Sequence, residues 1–337
     1  MHTPTNSDRI ILLLKSILRP RFKKASINNR MQHSDVEAAV SVAIGVILLL
    51  ITLIGGPINV YALNFLAKHA GSPMRFLHRI QISLCIGNLV QMLPLYLMTA
   101  ASSFKGQWLY GSIGCDISAF WVHFTALSSI WHLVLYAAVQ YNKVCGKFAL
   151  PGHDVSRFKQ YAILSFIWIT GIIWSAFPFL GWATYQLEGL KISCSISWEN
   201  SDTISISYNS TIFCTNFLAP VIILIYCYRK IFVTFKEHIN STACEMNEDR
   251  NNRNITLLRQ TARTGCVMTF AFLFIWAPYT VVAMITVITG RPVSPIAGSL
   301  PAVLAKCSCI IIPVVILWQR KRLTTRVANA PIQPFVA

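Results

Sequence analysis

Charged residues are scarce in this chain of 337 residues, and acidic residues are the scarcest. Asp, Glu, Lys and Arg make up 12% of the sequence and hydrophobic residues 54%, and only 12 residues are acidic against 29 that are basic. Long stretches carry no charge, as a membrane-spanning helix of about 20 mostly apolar residues requires. The composition therefore indicates a membrane protein.

Seven stretches are long and apolar enough to cross a membrane, and the sequence lacks both the alternating pattern of a barrel and internal repeats. Because backbone polar groups cannot stay unpaired in lipid, we expect helices that pack as one bundle. The sequence thus predicts an all-α membrane protein with seven spans in residues 38–319, between tails at 1–37 and 320–337. In order of span number, the runs lie between Glu37 and Lys68, Arg79 and Lys105, Asp116 and Lys143, Lys159 and Glu188, Asp202 and Arg229, Arg263 and Arg291, and from Pro292 to Gln319.

The net charge of +17 comes mainly from basic residues in the loops, and its distribution does not indicate that the protein binds nucleic acid. Most Lys and Arg residues lie in the loops after spans 1, 3 and 5 and in the C-terminal segment, whereas the opposite loops hold only Lys105, Lys191 and Arg291. By the positive-inside rule, the N-terminus is outside and the C-terminus is cytoplasmic. We therefore expect a multi-pass plasma-membrane protein that contacts lipid.

The first thirty residues lack the apolar core of a signal peptide, because the run from Ile10 to Leu14 is too short. They are basic, which suits an outer tail poorly. One hypothesis is an amphipathic segment on the membrane surface. The other, which we favour, is that Met31 is the true initiator.

Few of the ten cysteines lie where a disulfide can form. Cys115 opens span 3 on the outer side and Cys194 lies in the outer loop after span 4, where oxidation is permitted. A disulfide between them would hold that loop over the mouth of the bundle. The other eight are interpreted as buried or reduced, and no metal site is expected.

A single charge lies inside a span. Lys306 is the only charged residue between Pro292 and Gln319. An ammonium at the centre of a membrane helix costs about 2.5 to 3.5 kcal/mol, so such a residue is retained for a function. The lysine either reacts as an amine or stays unmodified, with a polar partner or along an ion path.

Several motifs in the spans resemble those of rhodopsin-class receptors. They are Gly56-Pro57-Ile58-Asn59, Trp108 and Gly111 before Cys115, Trp168, Pro220 and Tyr228, and Trp276-Ala277-Pro278-Tyr279. Two further segments resemble opsins more narrowly, and the resemblance extends from span 1 to the end of span 7. These segments are Phe179-Leu180-Gly181-Trp182 with Tyr185, Glu188-Gly189 and Ser193-Cys194-Ser195, which resembles the plug loop, and Leu300 to Lys306, which resembles the retinal-attachment segment.

The resemblance to opsins implies that Lys306 binds retinal covalently as a protonated Schiff base, with the 11-cis isomer in the dark. Burial disfavours the charged form of an amine, and the neutral form is the one that attacks an aldehyde. His123 and His132 of span 3 are interpreted as core residues. The retinal pocket implied by the resemblance contains Ser118, Trp276, Tyr279, Thr280 and Ala302.

Acids that could neutralise the Schiff base are few, because none lies inside any of the seven runs. Near the outer ends we consider only Asp116 and Glu188. Glu188 matches the plug-loop counterion of many non-vertebrate opsins, whereas vertebrate visual opsins carry a glutamate where this chain has Ser118. Asp116 is interpreted as a helix-start acid. We therefore predict Glu188 as the counterion.

The inner half departs from the pattern of the family. The acidic-Arg-Tyr motif reads Val139-Gln140-Tyr141, the Asn-Pro-x-x-Tyr motif reads Ile312-Pro313-Val314-Val315-Ile316, and the usual aspartate of span 2 is Asn88. Gln140 cannot make the ionic contacts of an arginine. The switch positions implied by the resemblance are Asn59, Asn88, Gln140, Tyr141, Tyr228 and Pro313.

Two functions remain open. The first, which we favour, is a non-enzymatic light-sensing receptor in which photoisomerisation moves span 6 and admits a heterotrimeric G protein. The second is a retinal photoisomerase or a retinal-binding protein that does not signal, which the degraded inner motifs favour. A chemoreceptor would require the attachment segment to be a coincidence.

Overall fold

The protein is described by a computed structural model that covers the backbone of residues 6–68, 75–146, 156–200, 202–242, 249–291 and 293–328, with side chains described from residue 34 to 237 and from 255 to 318 within those ranges. The predicted tails, 1–37 and 320–337, and the two hypotheses for residues 1–30 remain predictions. Residues 1–5 and 329–337 lie outside the described residues.

Within the described residues, seven helical segments are long and apolar enough to cross a membrane, which confirms the predicted all-α bundle. Each segment contains most or all of the matching uncharged run. The segments are Ser34–Lys68, Arg75–Lys105, Gly111–Cys145, Arg157–Leu180, Thr203–Glu237, Ile255–Thr289 and Pro295–Trp318, which are spans 1 to 7.

Four spans are built on helices without a π-helical turn or a break. Span 1 lies in the helix Asn6–Lys68 and span 3 is the helix Gly111–Cys145. Span 4 is the helix Arg157–Ala176 followed by the 3₁₀ turn Phe177–Leu180, and span 6 lies in the helix Asp249–Thr289.

The other three spans are distorted, and in spans 2 and 5 the distortion lies at or beside a proline. A proline has no N–H and its ring crowds the preceding turn, so a regular hydrogen bond is lost around it. Span 2 has a π-helical turn at Pro94, span 5 has one just before Pro220, and span 7 is broken between Lys306 and Ser308. The pieces are Arg75–Gln91, Met92–Tyr96 and Leu97–Lys105 in span 2, Thr203–Phe213, Cys214–Leu218 and Ala219–Thr242 in span 5, and Pro295–Lys306 and Ser308–Ala328 in span 7.

Short polar side chains start three of these helices. The Ser156 side chain accepts a hydrogen bond from the backbone N–H of Lys159, Asp202 accepts one from that of Ser205, and Ser294 opens span 7 in the same way. Such caps satisfy backbone donors that have no partner inside the helix. They fix where spans 4, 5 and 7 begin.

Two strands lie in the outer loop between spans 4 and 5. Strand β1, Tyr185–Glu188, pairs antiparallel with strand β2, Ser193–Ile196. In this register Glu188 lies opposite Ser193, and Leu187 lies opposite Cys194.

The apolar core is divided between the two ends of the bundle. Leu48 of span 1, Met92 of span 2 and Val303 of span 7 pack with Ile192 of the outer loop. At the inner end, side chains of spans 3, 5 and 6 pack around Tyr141. The outer cluster thus supports the segment that carries Lys306.

Candidate functional site

Lys306 is the last residue of the first helical piece of span 7, and only 8% of it is exposed. Its Nζ donates a long hydrogen bond of 3.4 Å to the carbonyl oxygen of Ala302. The side chain lines a cavity of about 180 Å³. A buried amine with one weak partner can react with a ligand that enters this space.

The cavity lies between spans 3, 5, 6 and 7, beneath strand β2. Its walls are mostly apolar and include Leu127, Phe213, Phe272 and Met284. Among the described residues that line it, Lys306 is the only lysine and Glu188 the only acid. An apolar cavity with few polar groups is typical of a site for a small hydrophobic ligand.

The hairpin of β1 and β2 covers the outer mouth of the cavity. Cys194 of β2 is bonded to Cys115 of span 3, so the predicted disulfide is confirmed. The turn is also attached to span 7, where the Leu190 N–H donates to Ser299 Oγ at 2.9 Å. At Gly189, φ is +50°, and an added Cβ would lie 2.3 Å from Ser299 Oγ and 2.5 Å from the carbonyl oxygen of Pro295. Only glycine fits this close approach.

Glu188 ends strand β1, and only 3% of it is exposed. Its Oε1 accepts a hydrogen bond of 2.9 Å from Ser193 Oγ, its partner in the strand register. Its Oε2 is buried without a hydrogen-bond partner in the described part of the chain. A buried carboxylate oxygen without a partner is costly unless a cation lies near it.

The other outer acids occupy different positions. Asp116 is half-buried in span 3 and does not line the cavity. Glu199 was missed by the sequence analysis, which considered no acid beyond Glu188 in this loop. Burial, and secondarily the charge of Glu188, raise the pKa of the Glu199 carboxyl above its ordinary value. Two carboxyl groups therefore interact at the outer end of the site.

Four of the five predicted pocket residues line the cavity, namely Trp276, Tyr279, Thr280 and Ala302. The Trp276 and Tyr279 rings meet edge to face at 6.1 Å, and the Thr280 hydroxyl donates back to the Trp276 carbonyl. Ser118 is buried but is not part of the lining, because its hydroxyl donates to the Cys115 carbonyl at 2.9 Å.

Several polar residues of the lining were missed as site residues. Gln91 of span 2, His123 of span 3 and Asn216 of span 5 line the cavity. His123 Nε2 lies 3.2 Å from the Tyr208 hydroxyl, which itself donates to the Trp174 carbonyl, so His123 Nε2 carries the proton that it donates to Tyr208. His123 was interpreted as core. Polar side chains in otherwise apolar spans were the available signal.

Asn209 begins the sequence Asn-Ser-Thr, which reads as a weak glycosylation signal on the outer face. In the structure it lies within the first helix of span 5 and lines the cavity. Its amide donates to the Ser197 carbonyl at 3.0 Å. A glycan needs an exposed side chain, so this position is unsuited to carry one.

The predicted switch positions lie in the inner half. Asn88 donates to Asn59 at 3.1 Å, and Asn59 donates to the Cys309 carbonyl at 2.9 Å. That carbonyl has lost its helical donor because Pro313, four residues later, has no N–H. Asn59 and Asn88 thus tie spans 1 and 2 to span 7.

Unlike Asn59 and Asn88, Gln140 forms no side-chain hydrogen bond with the described residues. Only 1% of it is exposed, and neither its Oε1 nor its Nε2 has a partner there. The Tyr228 hydroxyl lies 3.4 Å from the Thr269 hydroxyl, and the Tyr141 hydroxyl lies 3.5 Å from the Tyr226 hydroxyl. Ile312 and Ile316 are buried in an apolar cluster. Where the resemblance implies an ionic network, the inner half has apolar packing and an unpaired amide.

The model of the seven-transmembrane receptors of the rhodopsin family matches residues 56–315. The chain therefore belongs to the rhodopsin family of seven-transmembrane receptors. Its similarity to individual proteins places it among the opsins of that family.

The chain is 25% identical to pinopsin of Columba livia over 84% of this chain and 78% of pinopsin. It is 29% identical to the visual pigment-like receptor peropsin of Homo sapiens over 56% of this chain and 54% of peropsin. The crystal structure of squid rhodopsin superposes with a TM-score of 0.75 at 22% identity over 86% of each chain, which shows a shared fold.

Proposed function

We propose that this protein is a light-sensing receptor that binds retinal as a protonated Schiff base on Lys306. The observation that carries the proposal is a buried lysine that shares an apolar cavity with a single carboxylate, Glu188. The residues fit an aldehyde with a long apolar chain, because the amine has only a weak partner and the walls are apolar and aromatic.

Retinal would supply the absorption of visible light and the change of shape that follows. Lys306 would hold it through a C=N bond to the aldehyde carbon, and the aldehyde oxygen would leave as water with the two amine hydrogens. Glu188 Oε2, which has no hydrogen-bond partner in the described part of the chain, supplies the negative charge that keeps the linking nitrogen protonated. Trp276 and Tyr279 form an aromatic wall, and the disulfide holds the hairpin beside the cavity. We expect the 11-cis isomer in the dark.

The proposed receptor lies in the plasma membrane with its N-terminus outside, and its partner is a heterotrimeric G protein. Arg259 and Arg263 are exposed at the inner end of span 6 and offer a basic contact surface. Proteins of the rhodopsin family couple to G proteins in general, and the resemblance implies the same here. Movement of span 6 around Pro278 would open the inner end.

The second candidate is a retinal photoisomerase that gives no signal. It is favoured by the inner half, where Gln140 replaces the usual arginine and its amide has no partner among the residues that the structure describes, and where Ile312 and Ile316 are buried in apolar packing. Both candidates require Lys306 and Glu188. They differ in whether the absorption of light in the cavity produces a signal at the inner end of the bundle.

The test is the formation of a pigment. Protein expressed in cells is incubated with 11-cis or all-trans retinal, and absorption spectra are recorded before and after illumination. We expect a visible band from wild type and from Lys105→Ala, which removes an exposed lysine at the outer end of span 2, and no band from Lys306→Ala. No visible band from wild type with either isomer contradicts every retinal hypothesis.

The same samples separate the two candidates. Light-dependent nucleotide exchange on a G protein supports the receptor. Pigment formed from all-trans retinal that yields the 11-cis isomer in light, without nucleotide exchange, supports the photoisomerase.

A further inference from the structure

The break in span 7 leaves the Lys306 carbonyl without its helical donor. In a continuous helix, the N–H of Ile310 would donate to Lys306, four residues earlier. Here that N–H donates to Cys307 at 3.0 Å, and the N–H of Ile311 donates to the same carbonyl at 3.2 Å. A buried carbonyl without a partner is costly, so the segment that carries the lysine needs an external donor.

That donor comes from span 2. The Tyr96 hydroxyl lies 3.4 Å from the Lys306 carbonyl oxygen and 3.2 Å from Cys309 Sγ. Tyr96 is fully buried, and it ends the π-helical turn at Pro94. Because a π-helical turn adds a residue to the helix, it sets the direction in which Tyr96 points.

Tyr96 is linked to the cavity through Gln91. The Gln91 Nε2 donates to the Tyr96 hydroxyl at 3.1 Å, and its Oε1 accepts from Thr125 at 2.7 Å. Since Gln91 donates to the tyrosine oxygen, the single hydroxyl proton is available to the Lys306 carbonyl or to Cys309 Sγ. Gln91 also lines the cavity. A buried chain of hydrogen bonds therefore runs from span 3 through span 2 to the backbone of Lys306.

We propose that Tyr96 is a positioning residue for Lys306, and that it fixes the lysine backbone so that the Schiff-base nitrogen stays near Glu188. The inference rests on the proposed attachment of retinal to Lys306. Tyr96 does not line the cavity, so it acts through the backbone and not by contact with the ligand.

The test compares Tyr96→Phe with wild type in the pigment formed with 11-cis retinal. Loss of the hydroxyl leaves the ring in place and the carbonyl unpaired, so the turn from 306 to 309 can shift. We expect a pigment with a displaced absorption maximum that bleaches in dark hydroxylamine about fivefold faster, the factor that an ordinary hydrogen bond represents. Tyr136→Phe removes another buried tyrosine hydroxyl, at the inner end, and should leave both properties unchanged.

Cys309→Ala provides a second test, in which the rate of dark bleaching is expected to change in the opposite direction. It removes the competing sulfur, so the Tyr96 proton has only the Lys306 carbonyl to bond. Dark bleaching should then be slower than in wild type, and this arm decides the matter if Tyr96→Phe fails to fold. The inference is overturned if Tyr96→Phe matches wild type, or if Cys309→Ala bleaches at the wild-type rate or faster. Absence of pigment from wild type itself would contradict the proposed function instead.

Discussion

Glu188 is the acid whose removal should have the clearest spectral effect. Its Oε1 accepts a hydrogen bond from Ser193 and its Oε2 has no hydrogen-bond partner among the described residues, so that oxygen can face a cation in the cavity. In Glu188→Gln we expect the pH at which the visible band converts to a near-ultraviolet band to fall by about 1 to 3 units, since an opposite charge at short range has an effect of that size.

Absorption spectra of the dark pigment between acid and alkaline pH measure this change. Asp116→Asn is the matched control, because Asp116 does not line the cavity and should leave the conversion where it is in wild type. An unchanged conversion in Glu188→Gln would show that another group neutralises the nitrogen.

Glu199 should make the protein less stable as pH rises. Its pKa is raised in the folded protein by burial and by the charge of Glu188, so between its unfolded and folded pKa values the folded state binds more protons. Stability therefore falls as pH rises through that window. At pH values above that window, Glu199→Gln should unfold at a higher temperature than wild type. At pH values below it, the two proteins should unfold at the same temperature.

Asp202 provides the control of opposite sign in thermal unfolding curves recorded across acid and neutral pH. Hydrogen bonds from the backbone and side chain of Ser205 lower the pKa of Asp202, so its charge stabilises the folded state above the unfolded pKa. Asp202→Asn should lose stability at neutral pH, and the loss should disappear as pH falls through the folded pKa. A parallel response of the two variants would refute the assigned signs.

Single residues were predictable where their chemistry was rare. Lys306 was singled out because it is the only charge in its span, and Glu188 because few acids lie near the outer ends and it matches the plug-loop carboxylate of opsins. Ser118 was placed in the pocket by its sequence position, but its hydroxyl bonds to the preceding turn. Gln91 and His123 were missed because the sequence alone does not show which side of a helix faces a cavity.

The helices were predictable as elements because lipid leaves no alternative for seven long apolar runs. Their distortions were not predicted. Carbonyls of span 7 that lack a helical donor accept from neighbouring spans, the Lys306 carbonyl from Tyr96 and the Cys309 carbonyl from Asn59, and this proximity is a property of the assembled bundle.

Span 6 approaches spans 3 and 5 most tightly at one glycine near its inner end, Gly265. A Cβ added at Gly265 would lie 2.6 Å from the Tyr228 hydroxyl, 2.7 Å from the Tyr136 ring and 2.8 Å from Gln140 Oε1. Gly265→Ala should therefore move the inner end of span 6 outward in the dark, because two spans are pushed at once. Gly56→Ala is the matched control, since a Cβ there meets nothing within 4 Å.

Spin labels on cysteines that replace Lys159 and Arg259 measure this displacement, because both residues are exposed at the inner ends of spans 4 and 6. The exposed Cys214 is replaced by serine in all samples to avoid background labelling. A dark distance in Gly265→Ala equal to that of wild type would show that the side chains around Gly265 yield without moving the helix.

The whole molecule has two halves of different chemistry. The outer half joins the disulfide, the hairpin and Glu188 around Lys306 at one cavity. The inner half holds apolar packing around Ile312 and Ile316, and the Gln140 amide there has no partner in the described ranges of the chain. Variants in the inner half should therefore change stability and signalling and leave the absorption spectrum unchanged.

Gln140→Leu tests this division. Leucine fills similar space and removes two buried polar atoms that have no partner in the described part of the chain, so we expect the free energy of unfolding to rise by about 1 to 3 kcal/mol. Gln81→Leu is the control, because the Gln81 amide still donates a weak bond to Tyr136 and its replacement should stabilise less. The absorption maximum should match wild type in both variants.

Nucleotide exchange then distinguishes the functions. In a receptor, the opening of span 6 exposes the Gln140 amide to the G protein. Loss of that amide in Gln140→Leu should therefore reduce light-dependent nucleotide exchange, although the pigment still forms. In a photoisomerase, Gln140→Leu should convert retinal in light at the wild-type rate. A displaced absorption maximum in Gln140→Leu would refute the separation of the halves, because it would mean that the inner end shapes the cavity around Lys306.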